Sequence, residues 1–160
     1  MSAAYEKDFY AWANAQAALL RAGRLEEADI AHIAEEIESM GKAEQRELVS
    51  RLAVLLLHLL KWRVQPGMRG GSLQATIEVQ RRDLSRLLRD NPSLKSTLDE
   101  AMSDAYGDVI ILAASETGLP ETALPSSCPW SSEQAMDADF WPDRAAPPRA
   151  LGQMRGTKHL

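Results

Sequence analysis

Asp29, His32 and Glu36 stand at i, i+3 and i+7, which puts a carboxylate, an imidazole and a second carboxylate on one face of a helix. On a bundle helix such a face could ligate a divalent cation. The di-iron bundle signature needs Glu-x-x-His on two helices and a Glu on each of two others. This chain has His32-x-x-Glu35, the reverse order, and no second copy, so no metal or other cofactor is assigned. The plainer reading is a solvated acidic face with one His, since such side chains are mostly exposed. His58 stands among Leu55, Leu56, Leu57, Leu59 and Leu60 and reads as a core histidine bonded to a carbonyl or an amide. Catalysis there would need a nucleophile or acid within reach. The single cysteine, Cys128, lies in a Ser-Ser-Cys-Pro stretch with no local signature that ties it to His58.

Four polar residues interrupt apolar stripes: Gln16, Glu36, His58 and Gln80. A buried polar group without a partner costs about 1–3 kcal/mol, so each is expected to pair. Folding about Gly23 brings Gln16 level with His32. One polar layer is therefore expected from Gln16, Asp29, His32 and Glu36, joined by Arg51 if the chain turns at Gly41. Folding about residues 65–71 brings His58 level with Gln80, a second layer that Tyr106 could join. Arg82, Arg86 and Arg89 share a helix face and form a candidate anion patch. The plain alternative is surface salt bridging, including an i,i+4 pair of Glu78 with Arg82.

The elements that position these residues read as helices throughout. Phe9, Trp12, Ala13, Gln16, Leu19 and Leu20 mark a helix from Glu6 to Ala22, stopped by Gly23. A second begins near Glu26, with Ile30, Ile33 and Ile37 as its stripe. The stripe keeps phase across Gly41, and no N-cap residue follows it. A single helix from Glu26 to Val64 would nevertheless be about 58 Å long at 1.5 Å per residue. The expectation is two helices, or one sharply kinked, with Gly41 at the joint. Ser72 is the expected N-cap of the next helix, which runs to Arg89. Asn91-Pro92 reads as cap and first position of another, ending at Thr117-Gly118. From Leu119 to Asp143 prolines alternate with Leu124, Trp130, Met136, Phe140 and Trp141. This segment is expected to wrap the bundle, with a short helix capped by Ser131 and Gln134. The fold class is all-α: about five helices in a single domain over residues 1–143, with residues 144–160 a basic, disordered tail.

Composition narrows the function classes. Of the net charge of −5, residues 144–160 contribute four cations and no acid, which leaves −9 on the rest. That disfavours a general nucleic-acid surface. The longest apolar run, Leu52–Leu60, is interrupted by His58 and is far short of the roughly 20 residues a membrane span needs. The N-terminus has early acids and no apolar core of a signal peptide. One cysteine permits no intramolecular disulfide, which fits a reducing, cytoplasmic setting.

Several stretches together resemble a known family. They are Asp8-Phe9-Tyr10-Ala11-Trp12, Gln16 to Arg21, Ile33 to Gly41, His58 to Trp62, Gln65-Pro66, Thr76-Ile77, Gln80-Arg81, Glu116 to Leu119, Cys128-Pro129-Trp130 and Asp139 to Pro142. Over residues 5–142 the chain resembles the bacterial "domain of unknown function 29" family. The resemblance implies an all-helical fold and a bacterial source, and it implies no activity. At position 32 the family often has Asn where this chain has His32.

Two functional classes follow. The first is a helical interaction or regulatory module, forming a homodimer or binding a protein partner through the helix over 42–64, whose apolar surface exceeds what four other helices would cover. The alternative is a metal-dependent or small-ligand-binding enzyme using the Asp29/His32/Glu36 face or His58.

Overall fold

The structure, a computed structural model, describes residues 2–142. It is all-α, with α1 (Ser2–Lys7), α2 (Phe9–Arg21), α3 (Ile30–Val64), α4 (Gly71–Asp90), α5 (Leu98–Thr117) and α6 (Ser132–Met136), and no strand among the described residues. The tail expected over 144–160 lies outside the described residues. Backbone contacts divide the chain into two compact units, Met1–Glu44 and Gln45–Leu160.

In the first unit the helix expected from Glu6 begins earlier and is cut in two at Asp8. That residue serves as N-cap of α2, its Oδ1 accepting from Ala11 N at 3.1 Å, because a short carboxylate satisfies orphan N–H groups at a helix start. α2 ends as expected. Gly23 takes φ +74, its N–H bonds to Leu20 O, and Arg24 N bonds to Leu19 O, which together close the last turn on a left-handed glycine. Residues 25–27 form one 3-10 turn rather than the start of the next helix. α3 starts at Ile30 behind Asp29, whose Oδ1 accepts from His32 N at 3.4 Å.

The two separate helices expected on either side of Gly41 are one. α3 runs for 35 residues through it, and Gly41 keeps helical backbone without a positive φ. A lone glycine costs a helix only about 1 kcal/mol, and the residues after it supply no cap to start a new one.

In the second unit the core is built on α3. Leu52, Leu55, Leu56, Leu59 and Leu60 are fully buried and Leu57 nearly so. They pack with Ile77, Leu84 and Leu88 of α4, with Ala101, Ala105 and Val109 of α5, and with Leu124 and Trp130 beyond it. The apolar run that the sequence leaves looking for a partner is thus covered by its own chain. α4 begins one residue before Ser72, with Gly70 as N-cap and no side-chain cap. Asn91 does not cap the helix after it. Its Nδ2 donates back to Leu87 O at 3.1 Å, closing α4, and a 3-10 stretch, Pro92–Thr97, precedes α5. α5 ends on Gly118 at φ +79. The segment after it lies on the bundle: Leu124 and Trp130 are buried, Tyr106 donates to Pro125 O at 2.7 Å, and Ser131 with Gln134 forms the expected capping box of α6.

Candidate functional site

The polar residues of the first unit do come together, around Asp29. Its backbone N–H donates to Gln16 Oε1 at 2.7 Å. Its Oδ2 accepts from Trp12 Nε1 at 3.1 Å and from His32 Nδ1 at 2.8 Å. Asp29 therefore ties α2 to the first turn of α3. The buried Gln16, which breaks an apolar stripe, has its partner in this backbone amide. One turn further along α3, Tyr5 donates to Glu36 Oε2, and the Tyr5 ring stacks on His32 with centroids 3.9 Å apart. Phe9 and Trp12 complete an aromatic group around the imidazole.

Electrostatics follow from these contacts. The His32 hydrogen bond, helped by Trp12, holds the Asp29 carboxyl below its ordinary value against partial desolvation. An ionised carboxylate only accepts, so Nδ1 of His32 carries the hydrogen that Asp29 Oδ2 receives. The Glu36 carboxylate pushes the Tyr5 phenol up to about 12. His32 is an oriented imidazole, which general-base chemistry requires. Asp29 and Glu36, however, are each committed to a neighbour, and no three metal-ligating side chains are grouped to hold an ion among the described residues. Arg51 does not join this layer. It bonds Glu47 at 2.8 Å and Asp83 at 3.0 Å, since α3 does not turn at Gly41.

The second expected layer does not form. His58 Nδ1 donates to Val54 O at 2.7 Å, one turn back on its own helix. Gln80 Oε1 is buried with no hydrogen-bond partner, as is Trp62 Nε1, among the described residues. Tyr106 is taken by Pro125. Height along the bundle put His58 and Gln80 level, but level does not mean facing, and the local carbonyl won. Cys128, half-buried, donates to Trp130 O at 3.4 Å, and burial raises its thiol.

The arginines of α4 separate into two kinds. Arg81 is buried and donates to the carbonyls of Ala135 (2.8 Å), Ala138 (3.4 Å) and Phe140 (2.8 Å), with its guanidinium 5.2 Å from the Trp141 ring centre. It is the strut that holds the C-terminal segment to α4. Arg82, Arg86 and Arg89 remain exposed along one open groove. The expected Glu78–Arg82 pair is not made, and Glu78 accepts from Gln74 instead.

Sequence reasoning missed Tyr5, Trp12 as a donor to Asp29, and the internal role of Arg81. The signals were there: Tyr5, Phe9 and Trp12 are spaced as one aromatic stripe, and Arg81 falls in step with Ile77, Leu84 and Leu88.

The sequence profile of the family described as "Domain of unknown function DUF29" matches residues 4–141. The chain belongs to the DUF29 family. No curated protein and no solved structure matches it. The matched DUF29 region takes in the whole Asp29 cluster and the α4 groove, and the family description attaches no activity to either.

Proposed function

We propose that this DUF29 chain is a helical interaction module that pairs with a second copy of itself through its N-terminal hairpin, α2 with the first part of α3. The observation that carries this reading is the exposure of Phe9, Leu20, Ile30, Ile37 and Met40, with Ile37 62% exposed, in a unit whose only buried large apolar side chain among the described residues is Trp12. Gln16 meets the start of α3 at Asp29, and Trp12, one turn earlier on α2, reaches His32, one turn later on α3, so the two helices run antiparallel. On each helix the exposed apolar set is offset from the packing face in the same rotational sense, at about 100° per residue. In an antiparallel pair those offsets fall on the same side, so the five side chains share one face.

A two-helix hairpin with one apolar face is half of a four-helix bundle, and a two-fold pairing completes it. Five half-exposed large side chains amount to roughly 500 Å² per protomer, so about 1,000 Å² for the pair, the low end of specific interfaces. Residues 1–44, which hold the hairpin, carry nine carboxylates and four cations, which argues against an anionic lipid surface as the occupant. The single cysteine fits a reducing, cytoplasmic setting, and the family resemblance fits a bacterial one.

Sedimentation velocity of the full chain from about 1 to 300 µM tests the reading, in a range that spans ordinary dimer affinities. The expected result is a monomer–dimer equilibrium that strengthens with salt, because the paired hairpins are both acidic, and that Ile37→Glu abolishes with helical content unchanged by circular dichroism. A wild-type chain that stays monomeric over this range, or a dimer indifferent to Ile37→Glu, rules the pairing out.

A further inference from the structure

We propose that the arginine-lined groove of α4 is a binding site for a small phosphate-bearing molecule. The groove has a volume of about 490 Å³, within the range of small-ligand sites. Arg82, Ser85, Arg86 and Arg89 line it from α4, and Met136 with Ala138 lines it from the segment around α6. Its second wall is fixed because Arg81 pins residues 135–140 to α4 by three carbonyl hydrogen bonds.

Arg81 is spent on residues 135–140, but the other three cations of the groove are not committed in that way. Arg82 has no ion-pair or hydrogen-bond partner among the described residues. Arg86 Nη1 lies 3.2 Å from Asp83 Oδ1, but the other oxygen of that carboxylate already serves Arg51. Arg89 lies 3.8 Å from Asp90, and both side chains are largely in solvent. Surface pairs of this kind contribute little and give way easily. Glu78 is the single carboxylate in the lining, and Gln74 holds it. On a chain of net charge −5, four guanidinium groups on one groove are a strong local concentration of positive charge.

The residue types narrow the ligand. Every cation in the lining is arginine, whose planar fork matches phosphate oxygens two at a time, as a lysine point charge does not. Arg82 and Arg86 are one turn apart, and Ser85 between them adds a hydroxyl donor. No aromatic side chain lines the groove, so nothing there stacks a base, which a single-strand nucleic-acid track would use. Met136 and Ala138 leave an apolar strip for the organic part of a small phosphate ester.

Isothermal titration of the full chain with inorganic phosphate, pyrophosphate and citrate at low salt tests the site. The expected result is one saturable site per chain for pyrophosphate, weaker binding of inorganic phosphate, and citrate at least about tenfold weaker than pyrophosphate. Replacing Arg82→Gln and Arg86→Gln together should weaken pyrophosphate at least about tenfold, and Arg89→Gln alone should weaken it less. The control, Arg21→Gln with Arg24→Gln, should leave binding unchanged. The substituted side chains are exposed, so the thermal transition of each variant should stay at the wild-type value. Absence of saturable binding, equal binding of citrate, or a pyrophosphate affinity untouched by the double replacement would each overturn the assignment.

Discussion

Asp29 is where the first unit is decided, because four hydrogen bonds converge on one residue: its amide to Gln16, and its carboxylate to Trp12, His32 and the first turn of α3. The carboxylate is held below its ordinary value, chiefly by His32. A depressed native value means that the unfolded chain binds the proton more readily. The stabilisation is then fully present above the unfolded carboxylate value of about 4 and is lost as pH falls through the lower native value. Asn at position 29 keeps the amide bond to Gln16 but not the charge. The Asp29→Asn variant should therefore melt below wild type at neutral pH and converge with it as pH drops below about 4. Thermal melts of both proteins across that interval check this, and a gap that persists unchanged into acid would contradict it. The spacing of Asp29, His32 and Glu36, and the fold about Gly23 that sets Gln16 beside them, were legible in the sequence. What was not legible is that Asp29 and His32 face each other, with Tyr5 over the ring. The Tyr5 contact lies beyond the break at Asp8, where the backbone leaves helical geometry between α1 and α2. Gln80 and His58 failed for the converse reason, since a residue's level and its azimuth on its own helix can be counted, but the rotation of one helix against its neighbour cannot.

Among the elements, α3 shows how two sequence signals compete. An in-phase stripe and a missing cap favoured continuity through Gly41, length argued against it, and the local signals prevailed. Caps were legible at Gly23, Gly118 and Ser131, where a left-handed glycine or a capping box fixed the end, and the N-cap at Asp8 was missed. They were misread at Ser72 and Asn91, where a cap residue stood near a boundary set by packing and by Pro92. If Gly41 is only an unoptimised helical position, filling it should help. A Cβ there meets nothing within 4 Å, so Gly41→Ala should stabilise by about 0.5–1 kcal/mol. A Cβ at Gly118 also meets nothing, but its φ of +79 is left-handed, so Gly118→Ala should destabilise by about 1 kcal/mol. Urea unfolding of the two variants gives opposite shifts in midpoint. A destabilising Gly41→Ala would show that α3 bends at this point in solution.

For the whole molecule, the two units differ in how much apolar surface each hides. The second holds the leucine core of α3 with α4 and α5, whereas the first closes around Trp12, Gln16 and hydrogen bonds while leaving Ile30, Ile37 and Met40 in solvent. Local opening free energy follows buried apolar contact. Amides of residues 52–60 should therefore exchange only through global unfolding, and amides of residues 30–40 should exchange far sooner, although both stretches belong to one continuous helix. Pairing of hairpins adds a concentration term, because any partner that binds only the closed hairpin stabilises it by mass action. Hydrogen exchange followed by mass spectrometry at two protein concentrations, below and well above the dissociation constant, separates these effects. Protection over residues 30–40 and 9–20 should rise with concentration, by about 0.7 kcal/mol for each tenfold increase in total protein above the dissociation constant, where free monomer grows only as the square root, while residues 52–60 stay unchanged. Uniform protection along α3 at every concentration would mean that the hairpin is stable by itself, and its exposed isoleucines would then need another explanation than a second copy.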